Sequence, residues 1–382
     1  MKVKQNYKNH FCLGMVLLSL LILPNLTWSQ EFYRLPKANY TLEGVPRSQL
    51  EVVKKIESDF DEDLFFAMPS TLAAGPGNFL YVYDQKMVRI FVFENYKFIG
   101  QTLSRGAGPN ETPNPMNKEL YVAPDGKLLC YDGVGDKILC YDKRGKYINE
   151  RRLHRISRSQ RHFPPVYDQS GCLYVLSTNN GIVDKLDQNL KLVSTYLDVR
   201  LNHKFIYYRP DFEGAEALKG KSSPRGLWQE PNSYSVFFDV LKNGKLFIFL
   251  HRSATVFIFD GKKLERQFSI YIDRVMRNYQ RGVLKSVAEK KKRQPDVPLA
   301  FQKHMFSSCF LDKDAPFFYL QINGKNNENT LFQFDFFGKL TRIFGNCQEG
   351  AIFKTKCDGL FYGLAFENFV PVIFKPKKEK IN

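Results

Sequence analysis

The run Ser104–Pro115, "SRGAGPNETPNP", combines one arginine and one glutamate with closely spaced glycines and prolines between two strand-like segments. Glycine-rich loops can cradle phosphate groups with their backbone N–H groups. A Walker loop also needs a lysine followed by Ser or Thr, which is missing here, and Pro109 removes one N–H donor. We therefore expect Arg105 and Glu111 to bond to each other or to the backbone, in a loop that borders a ligand site.

Other residues that could bind a ligand lie in two places. The stretch 200–232 mixes aromatic and charged side chains, among them Arg209 and Trp228. This composition suits contact with a glycan or a peptide, and it equally suits a loop packed on its own side chains. His251 and Arg252 lie at a predicted turn on the same side, where such a pair is usually polar surface. Together with Arg105 and Glu111, these four residues form the candidate ligand-binding set.

Side-chain oxygens at predicted loops offer an alternative chemistry. A divalent cation such as calcium prefers carboxylate and amide oxygens, and Glu111, Asp136, Asn179, Asn180 and Asn326 could supply them. A metal-dependent hydrolase, lactonase or lyase would gather such groups at the mouth of a channel. The spacing of these residues does not mark them as ligands, and the sequence has neither a GxSxG elbow nor a CxxC motif. We assign no catalytic residue and keep the enzyme as the alternative function.

The elements that must position these residues form a repeat. Segments that begin at Gly77, Gly126, Gly171 and Gly244 each contain an apolar strand, a turn and a second strand, then a hairpin and a third strand; a further strand precedes each glycine. A four-stranded antiparallel unit that recurs at about 45 residues is typical of a β-propeller blade.

Two further units complete the predicted ring. They cover residues 306–345 and 351–374, and the last lacks one strand, which we expect the segment 40–56 to supply. This closure removes exposed sheet edges. The predicted fold is all-β: a six-bladed β-propeller with four-stranded antiparallel blades, closed by an N-terminal strand.

Two connections between blades are unusually long, at 200–232 and 273–305. Both fall on the same face as Ser104–Pro115, and long insertions in a compact domain are more often functional than not. The second is predicted to be a helical insertion, because apolar residues recur at helical spacing before Pro295. It is either a solvated cap helix or a basic lid over an anionic ligand or a membrane surface.

The N-terminus predicts export. Lys2, Lys4 and Lys8 precede the apolar run Phe11–Leu23, and a cleavage site follows Ser29. An uncleaved anchor is the alternative, and no lipobox is present. We predict a signal peptide at 1–29, an N-terminal segment with the closing strand at 30–62, and the propeller at 63–382, located in the periplasm, the cell envelope or outside the cell.

The net charge restricts the expected classes of partner, and the cysteine count raises the question of disulfides. The formal charge of +17 suits an acidic partner or peripheral contact with an anionic surface. In an exported protein it does not indicate nucleic acid. Six cysteines remain after residue 29, and they are either disulfide partners or small buried strand residues. Cys130 and Cys140, in "LLCYD" and "ILCYD", are expected on paired strands.

The segment "LYVYDQKMVRIFVFE…IGQTLSRGAGPNE" resembles the exported six-bladed TolB-like or NHL-like propellers of the Bacteroidetes. The similarity includes a G-x-G-P-x-E loop, formed here by Gly106, Gly108, Pro109 and Glu111. This resemblance implies an architecture and an envelope location more than an activity. We predict a module that binds a peptide, a glycan or an envelope protein on the face with the long connections.

Overall fold

The structure, a computed structural model, describes residues 42–377 except positions 58, 62–63, 117, 136, 154–164, 177–181, 190, 199–235, 251–253, 262, 271–305, 324–328, 348–350 and 366–369. All regular elements in this part are β-strands, which confirms the all-β class. The predicted helical insertion at 273–305, the insertion at 200–232 and the signal peptide at 1–29 lie outside the described residues.

The first half of the described chain contains two four-stranded sheets and several short strands. The strands are β1 (Arg47–Lys55), β2 (Asp59–Asp61), β3 (Leu64–Phe65), β4 (Pro69–Gly75), β5 (Phe79–Asp84), β6 (Arg89–Glu94), β7 (Lys97–Thr102), β8 (Ser104–Arg105), β9 (Glu111–Thr112), β10 (Lys118–Val122), β11 (Leu128–Asp132), β12 (Lys137–Tyr141) and β13 (Tyr147–Arg152). Sheet 1 is β4–β7 and sheet 2 is β10–β13, each an antiparallel meander in chain order.

The second half adds two more such sheets and one sheet of eight strands. The strands are β14 (Val166–Tyr167), β15 (Leu173–Leu176), β16 (Ile182–Leu186), β17 (Leu192–Asp198), β18 (Val236–Val240), β19 (Leu246–Leu250), β20 (Thr255–Asp260), β21 (Lys263–Ser269), β22 (Phe306–Leu311), β23 (Phe317–Asn323), β24 (Asn329–Asp335), β25 (Leu340–Cys347), β26 (Ile352–Cys357), β27 (Leu360–Leu364) and β28 (Pro371–Pro376). Sheet 3 is β14–β17, sheet 4 is β18–β21, and the eight-stranded sheet has the order β22-β23-β24-β25-β1-β28-β27-β26.

Burial follows the order of strands within a sheet. The second strands β5 and β11 are buried at every position, and their sequences are nearly continuous apolar runs. Such runs are expected where both faces of a strand are covered. The fourth strand β7 alternates instead between exposed and half-buried residues. Apolar clusters fill the space between neighbouring sheets; one joins residues of sheets 1 and 2, another joins residues of sheets 2 and 3.

The tight turns explain why aspartate and glycine recur at fixed positions. Between third and fourth strands, the Oδ1 atoms of Asp142, Asp187 and Asp335 each accept the N–H groups of the residues two and four positions later. Gly145 and Gly338 in these turns have φ of 83° and 86°, a left-handed conformation that favours glycine. Each turn therefore satisfies its own backbone groups.

The first strands of the sheets form a ring. β4 packs against β10 and β26, β22 packs against β26 and β18, and β14 packs against β18. The remaining link joins β10 to β14, where Tyr121 Oη donates to the carbonyl oxygen of Tyr167 at 3.1 Å. First strands arranged around an axis are the hallmark of a β-propeller. We call the end with the tight turns the hairpin end, and the end where the chain passes between sheets the crossover end.

The predicted closing strand is confirmed, whereas the predicted number of blades is not. β1 lies in the segment 40–56 and pairs antiparallel with β28. It also pairs in parallel with β25, over Arg47–Gln49. Sheets 1 to 4 are thus four separate blades, and the other eight strands form one sheet instead of two. The difference arises because both edges of β1 find a partner.

Most of the cysteines are buried strand residues. Five cysteines whose side chains the structure describes are free thiols: Cys130, Cys140, Cys309 and Cys357 are buried, and Cys172, directly before β15, is half-buried. Cys130 and Cys140 do lie on the paired strands β11 and β12. Cys130 is opposite Leu139, so the two thiols project from opposite faces of sheet 2.

Candidate functional site

A buried ion pair lies at the base of the crossover loop, the connection of residues 103–117 between sheets 1 and 2. Lys118 is the first residue of β10 and Asp132 the last of β11, and the two are register partners. Lys118 Nζ lies 2.8 Å from Asp132 Oδ1, and both side chains are 0% exposed. A charge buried this deeply is tolerated only with a well-placed counter-charge.

Both members of the pair have further partners. Lys118 Nζ donates to the carbonyl oxygen of Asn114 at 2.7 Å, and Asp132 Oδ2 accepts the hydroxyl of Thr112 at 2.7 Å. Asp132 Oδ1 also accepts the N–H of Gly135 at 2.9 Å. Burial opposes ionisation of Asp132, but the hydrogen bonds from Lys118, Gly135 and Thr112 outweigh it and lower the pKa of this carboxyl.

Glu111 folds back onto its own loop. Its Oε2 accepts the N–H of Gly108 at 2.7 Å, and a Cβ added at Gly106 would lie 2.1 Å from the same oxygen. The glycine leaves room for the carboxylate, and Lys137 Nζ donates to the carbonyl oxygen of Glu111 at 3.0 Å. The predicted fastening of Glu111 to the backbone is confirmed. Arg105 is exposed in β8, and its ligand contact stays a prediction.

The other candidate residues from the sequence lie outside the described residues. These are the candidate ligand-binding residues Arg209, Trp228, His251 and Arg252, and the candidate metal ligands Asp136, Asn179, Asn180 and Asn326. Arg105 and Glu111 are therefore the members of the two sets that the structure brings together, on the two-stranded parallel pair β8–β9.

Exposed apolar side chains surround the crossover loop. We define the methionine ridge as Met68, Met116 and Val134, which are all exposed. Gln85 links the first two, because its N–H donates to the carbonyl oxygen of Met68 at 2.8 Å and its Nε2 lies 2.6 Å from Met116 Sδ. The N–H of Val134 donates to Asp132 Oδ1 at 3.1 Å. Lys118 Nζ donates to the carbonyl oxygen of Met116 at 3.1 Å, so Met116 and Val134 are attached to the buried ion pair, whereas the N–H of Met68 donates to Asp84 Oδ2 at 2.7 Å.

This pair was not among the residues predicted from the sequence. A signal was available: a lysine stands immediately before "ELYV", and "LLCYD" ends its strand in an aspartate. Once the two segments are paired as a hairpin across the turn at Gly126, the register places Lys118 opposite Asp132. Opposite charges at facing positions of an antiparallel pair attract each other.

A second polar group lies at the hairpin end of the ring. Lys313, in the turn after β22, has its Nζ 3.4 Å from Asp239 Oδ2 of β18 and 5.2 Å from the ring centroid of Tyr121 of β10. Desolvation opposes the ammonium charge, but the neighbouring Asp239 carboxylate and Tyr121 raise the pKa of Lys313. Side chains from three different sheets thus meet at this end of the ring.

The described residues contain neither a candidate metal cluster nor a candidate membrane-spanning helix. No group of three or more His, Cys, Asp or Glu side chains in this part of the chain is arranged to hold a metal ion. In the same residues, no helix has the length and apolar character needed to cross a membrane.

Comparisons with known proteins support the fold alone. No protein family and no curated protein matches the chain. A solved protein of Bacteroides fragilis NCTC 9343, named "putative exported protein", is similar over 87% of this chain and 99% of its own, with 11% identity and a TM-score of 0.50. The β-propeller domain of Cps50 (Swd1) from Myceliophteria thermophila aligns with 85% of this chain and 99% of its own, with 11% identity and a TM-score of 0.47. Catalytically inactive virginiamycin B lyase from Staphylococcus aureus, solved with quinupristin, aligns with 87% of this chain and 89% of its own, with 11% identity and a TM-score of 0.42.

Proposed function

We propose that this chain is an exported binding module that holds a peptide or protein segment at the crossover end of its propeller. The single observation that carries the proposal is the methionine ridge on its buried polar base. Met68, Met116 and Val134 are exposed, and the polar groups beneath them are paired with the loop backbone. Methionine is flexible and polarisable, and it is frequent at surfaces that bind varied apolar partners.

The backbone beneath the methionine ridge is held in place by hydrogen bonds, which supports a binding role for the exposed side chains. Tyr83 Oη donates to the carbonyl oxygen of Pro115 at 2.7 Å, and Lys118 Nζ donates to that of Met116 at 3.1 Å. The backbone on both sides of the Met116 side chain is therefore fixed before a partner arrives. A preorganised surface loses less conformational entropy on binding than a mobile one.

Access from the crossover end is favoured by the polar group at the opposite end. Lys313, Asp239 and Tyr121 meet at the hairpin end of the ring. A ligand that reached the ring axis from that side would have to separate them. Of the partner classes predicted from the sequence, an apolar peptide fits the ridge, while a glycan would rely on Trp228 and its neighbours.

The architecture that we propose for this module has six blades. In the eight-stranded sheet, the only parallel pairing among its described strands is that of β1 with β25, over three register pairs. Division at this contact leaves two antiparallel groups of four, β22–β25 and β26-β27-β28-β1. We further propose removal of a signal peptide at 1–29, a location in the envelope or outside the cell, and kinship with TolB-like or NHL-like propellers.

Selection of peptides tests the binding function. A phage-displayed library of random peptides is selected on the purified full chain, and the enriched peptides are then measured on two variants. Met116→Lys places a charge on the ridge and should weaken binding at least about tenfold, since it costs about 1.4 kcal/mol or more. Val53→Lys is the matched control, because Val53 is 41% exposed on β1 and Met116 is 49% exposed. Equal binding to wild type and Met116→Lys, or no enriched peptide, would refute the proposal.

The enzymatic alternative, a metal-dependent hydrolase, lactonase or lyase, stays a prediction. Its candidate ligands other than Glu111 lie outside the described residues. Glu111 itself is engaged with the N–H of Gly108.

A further inference from the structure

Five lysines occupy the same structural position in five successive antiparallel groups of strands. Each stands at, or directly before, the first residue of a fourth strand, where the chain leaves the hairpin end. All five are exposed: Lys97, Lys146, Lys191, Lys263 and Lys339. Because the groups are arranged around one axis, equivalent positions lie at the same height along that axis. The five ammonium groups therefore form a ring at the hairpin end, which we call the lysine ring.

The lysine ring is not neutralised by ion pairs. Within the described part of the chain, none of its ammonium groups lies within ion-pair distance of a carboxylate. The acidic residues that face it are engaged elsewhere in most groups. Asp142, Asp187 and Asp335 bond to backbone N–H groups of their own turns, and Glu94 pairs with Arg144 at 3.2 Å. Among the described residues, Asp260 and Asp358, the latter in the turn between β26 and β27, are exposed carboxylates without an ion pair.

Apolar side chains are exposed between these lysines. In sheets 1 to 3 a bulge at the start of the fourth strand leaves one residue unpaired, namely Ile99, Ile148 or Val193. All three are exposed. In the turn before β25, Phe337 is 74% exposed, and the Arg266 guanidinium carbon lies 3.8 Å from its ring centroid.

We propose that the hairpin end docks onto a bilayer that contains anionic phospholipid. A protein partner would need a compact, contiguous patch of about 800 Å². Here exposed apolar side chains and cations are distributed around a circle, an arrangement that suits a flat and laterally uniform surface. Lysines beside the apolar residues would contact headgroups while Phe337 enters the boundary between headgroups and acyl chains, as Phe does on the apolar face of membrane-surface helices. This surface is separate from the methionine ridge and does not depend on it.

Vesicle binding of the full chain tests this inference. Vesicles of phosphatidylcholine, with and without phosphatidylglycerol, are sedimented with the protein. The apolar run Phe11–Leu23 partitions into both kinds, so the measured quantity is the ratio of the two affinities. The pair of substitutions Lys146→Gln and Lys191→Gln should lower this ratio about 25-fold, which is about fivefold for each lysine near an anionic surface.

The matched control removes the same charge from other exposed positions. Lys54→Gln with Lys86→Gln replaces lysines on β1 and in the loop between β5 and β6. This pair should keep a ratio close to that of wild type. An equal fall in both pairs would mean attraction by net charge alone and would overturn the proposal. A wild-type ratio of one would overturn it as well.

Orientation at the membrane gives a second readout. Brominated phosphatidylglycerol should quench the fluorescence of the tryptophan introduced by Phe337→Trp. The quenching measured for Lys86→Trp should not exceed that of the wild-type protein. Equal quenching at both positions would show that the hairpin end does not face the bilayer. Quenching in Phe337→Trp, together with a lowered affinity ratio in the variant Lys146→Gln with Lys191→Gln, supports the proposal.

Discussion

Replacement of Asp132 by Asn tests whether the buried ion pair holds the crossover loop. The carboxylate accepts hydrogen bonds from Lys118, Thr112, Val134 and Gly135. The asparagine side chain keeps the shape of the aspartate but carries no charge. One carboxylate oxygen is replaced by an NH2 group, a donor that faces the other donors of the site. Lys118 is left 0% exposed without a counter-charge. We expect the free energy of unfolding to fall by about 3–5 kcal/mol.

A surface pair in the same sheet provides the control. Lys127 Nζ lies 2.6 Å from Asp125 Oδ2, and both side chains are more than half exposed. Asp125→Asn and Asp132→Asn both remove the carboxylate that pairs with a lysine. The two pairs differ in burial, because the Asp125 pair is exposed and the Asp132 pair is buried. Water screens the exposed pair, so its loss should lower the free energy of unfolding by about 0.2–1 kcal/mol.

Urea unfolding of the full chain, followed by far-ultraviolet circular dichroism, measures both variants. The comparison uses the midpoint at constant m-value, since a change in m would indicate an altered denatured state. If Asp132→Asn were no less stable than Asp125→Asn, the inference that this pair anchors the loop would be refuted.

The pH dependence follows from the lowered pKa of Asp132. The folded state holds this carboxyl ionised to lower pH than the unfolded state does, so the folded state binds fewer protons. Its stabilising contribution is complete above the unfolded pKa of about 3.9 and is lost as the pH falls through the folded value. The difference in stability between wild type and Asp132→Asn should therefore shrink in acid. A difference that is constant with pH would mean that the charge is not its cause.

Three further outcomes are expected. Gly106→Ala should lower the free energy of unfolding by about 1–2 kcal/mol, because the added Cβ meets the Glu111 carboxylate; in a Glu111→Ala background the loss should be smaller, as a double-mutant cycle of urea midpoints would measure. Gln321→Leu should cost about 2–4 kcal/mol, because the buried amide bonds to two backbone groups at the start of β26 at 2.6 and 2.9 Å; thermal unfolding measures it. In native protein, an aromatic disulfide reagent should modify Cys172 well before Cys130, whose thiol is buried with its pKa raised to about 12; peptide mapping by mass spectrometry reports the order.

Each of these outcomes has a matched comparison. Gly100→Ala adds a Cβ with no atom within 4 Å, so a loss equal to that of Gly106→Ala would remove the steric explanation. Gln101→Leu changes an exposed glutamine on β7, and it should leave the melting temperature nearly unchanged. Modification of Cys130 at the rate of Cys172 would contradict the burial of sheet 2.

The parts of the fold that were predictable depend on local chemistry. The dipeptides Asp-Gly, Ser-Gly and Asn-Gly at Gly126, Gly171 and Gly244 are typical of turns in which glycine takes a positive φ, and the φ values of these glycines are 83°, 78° and 79°. The closing strand was predicted because an antiparallel unit of three strands leaves an edge unpaired. Both inferences need only neighbouring residues or a count of strands.

What was missed depends on strand register. The pairing of Lys118 with Asp132 appears only after the neighbouring strands β10 and β11 are aligned across the turn at Gly126. The parallel contact of Arg47 with Ile343 joins opposite ends of the chain, and no local pattern marks it. The G-x-G-P-x-E loop was assigned a fastening role, but the reason for its glycines, the space that the Glu111 carboxylate takes, required the loop conformation.

The two ends of the ring use their charges differently, and the length of the connections explains why. In a tight turn such as Asp142–Lys146, one aspartate accepts the hydrogen bonds of two backbone N–H groups. The side chain of Lys146 is therefore not needed to hold the turn and can meet an external anion. The longer crossover loop has carbonyl oxygens that need donors from outside the sheets, and Lys118, Lys137 and Tyr83 donate hydrogen bonds to them. The exposed apolar side chains at this end include Met116 in the loop, with Met68 and Val134 beside it. An anionic surface and an apolar peptide are therefore expected at opposite ends of the same ring, and substitutions at one end should leave binding at the other unchanged.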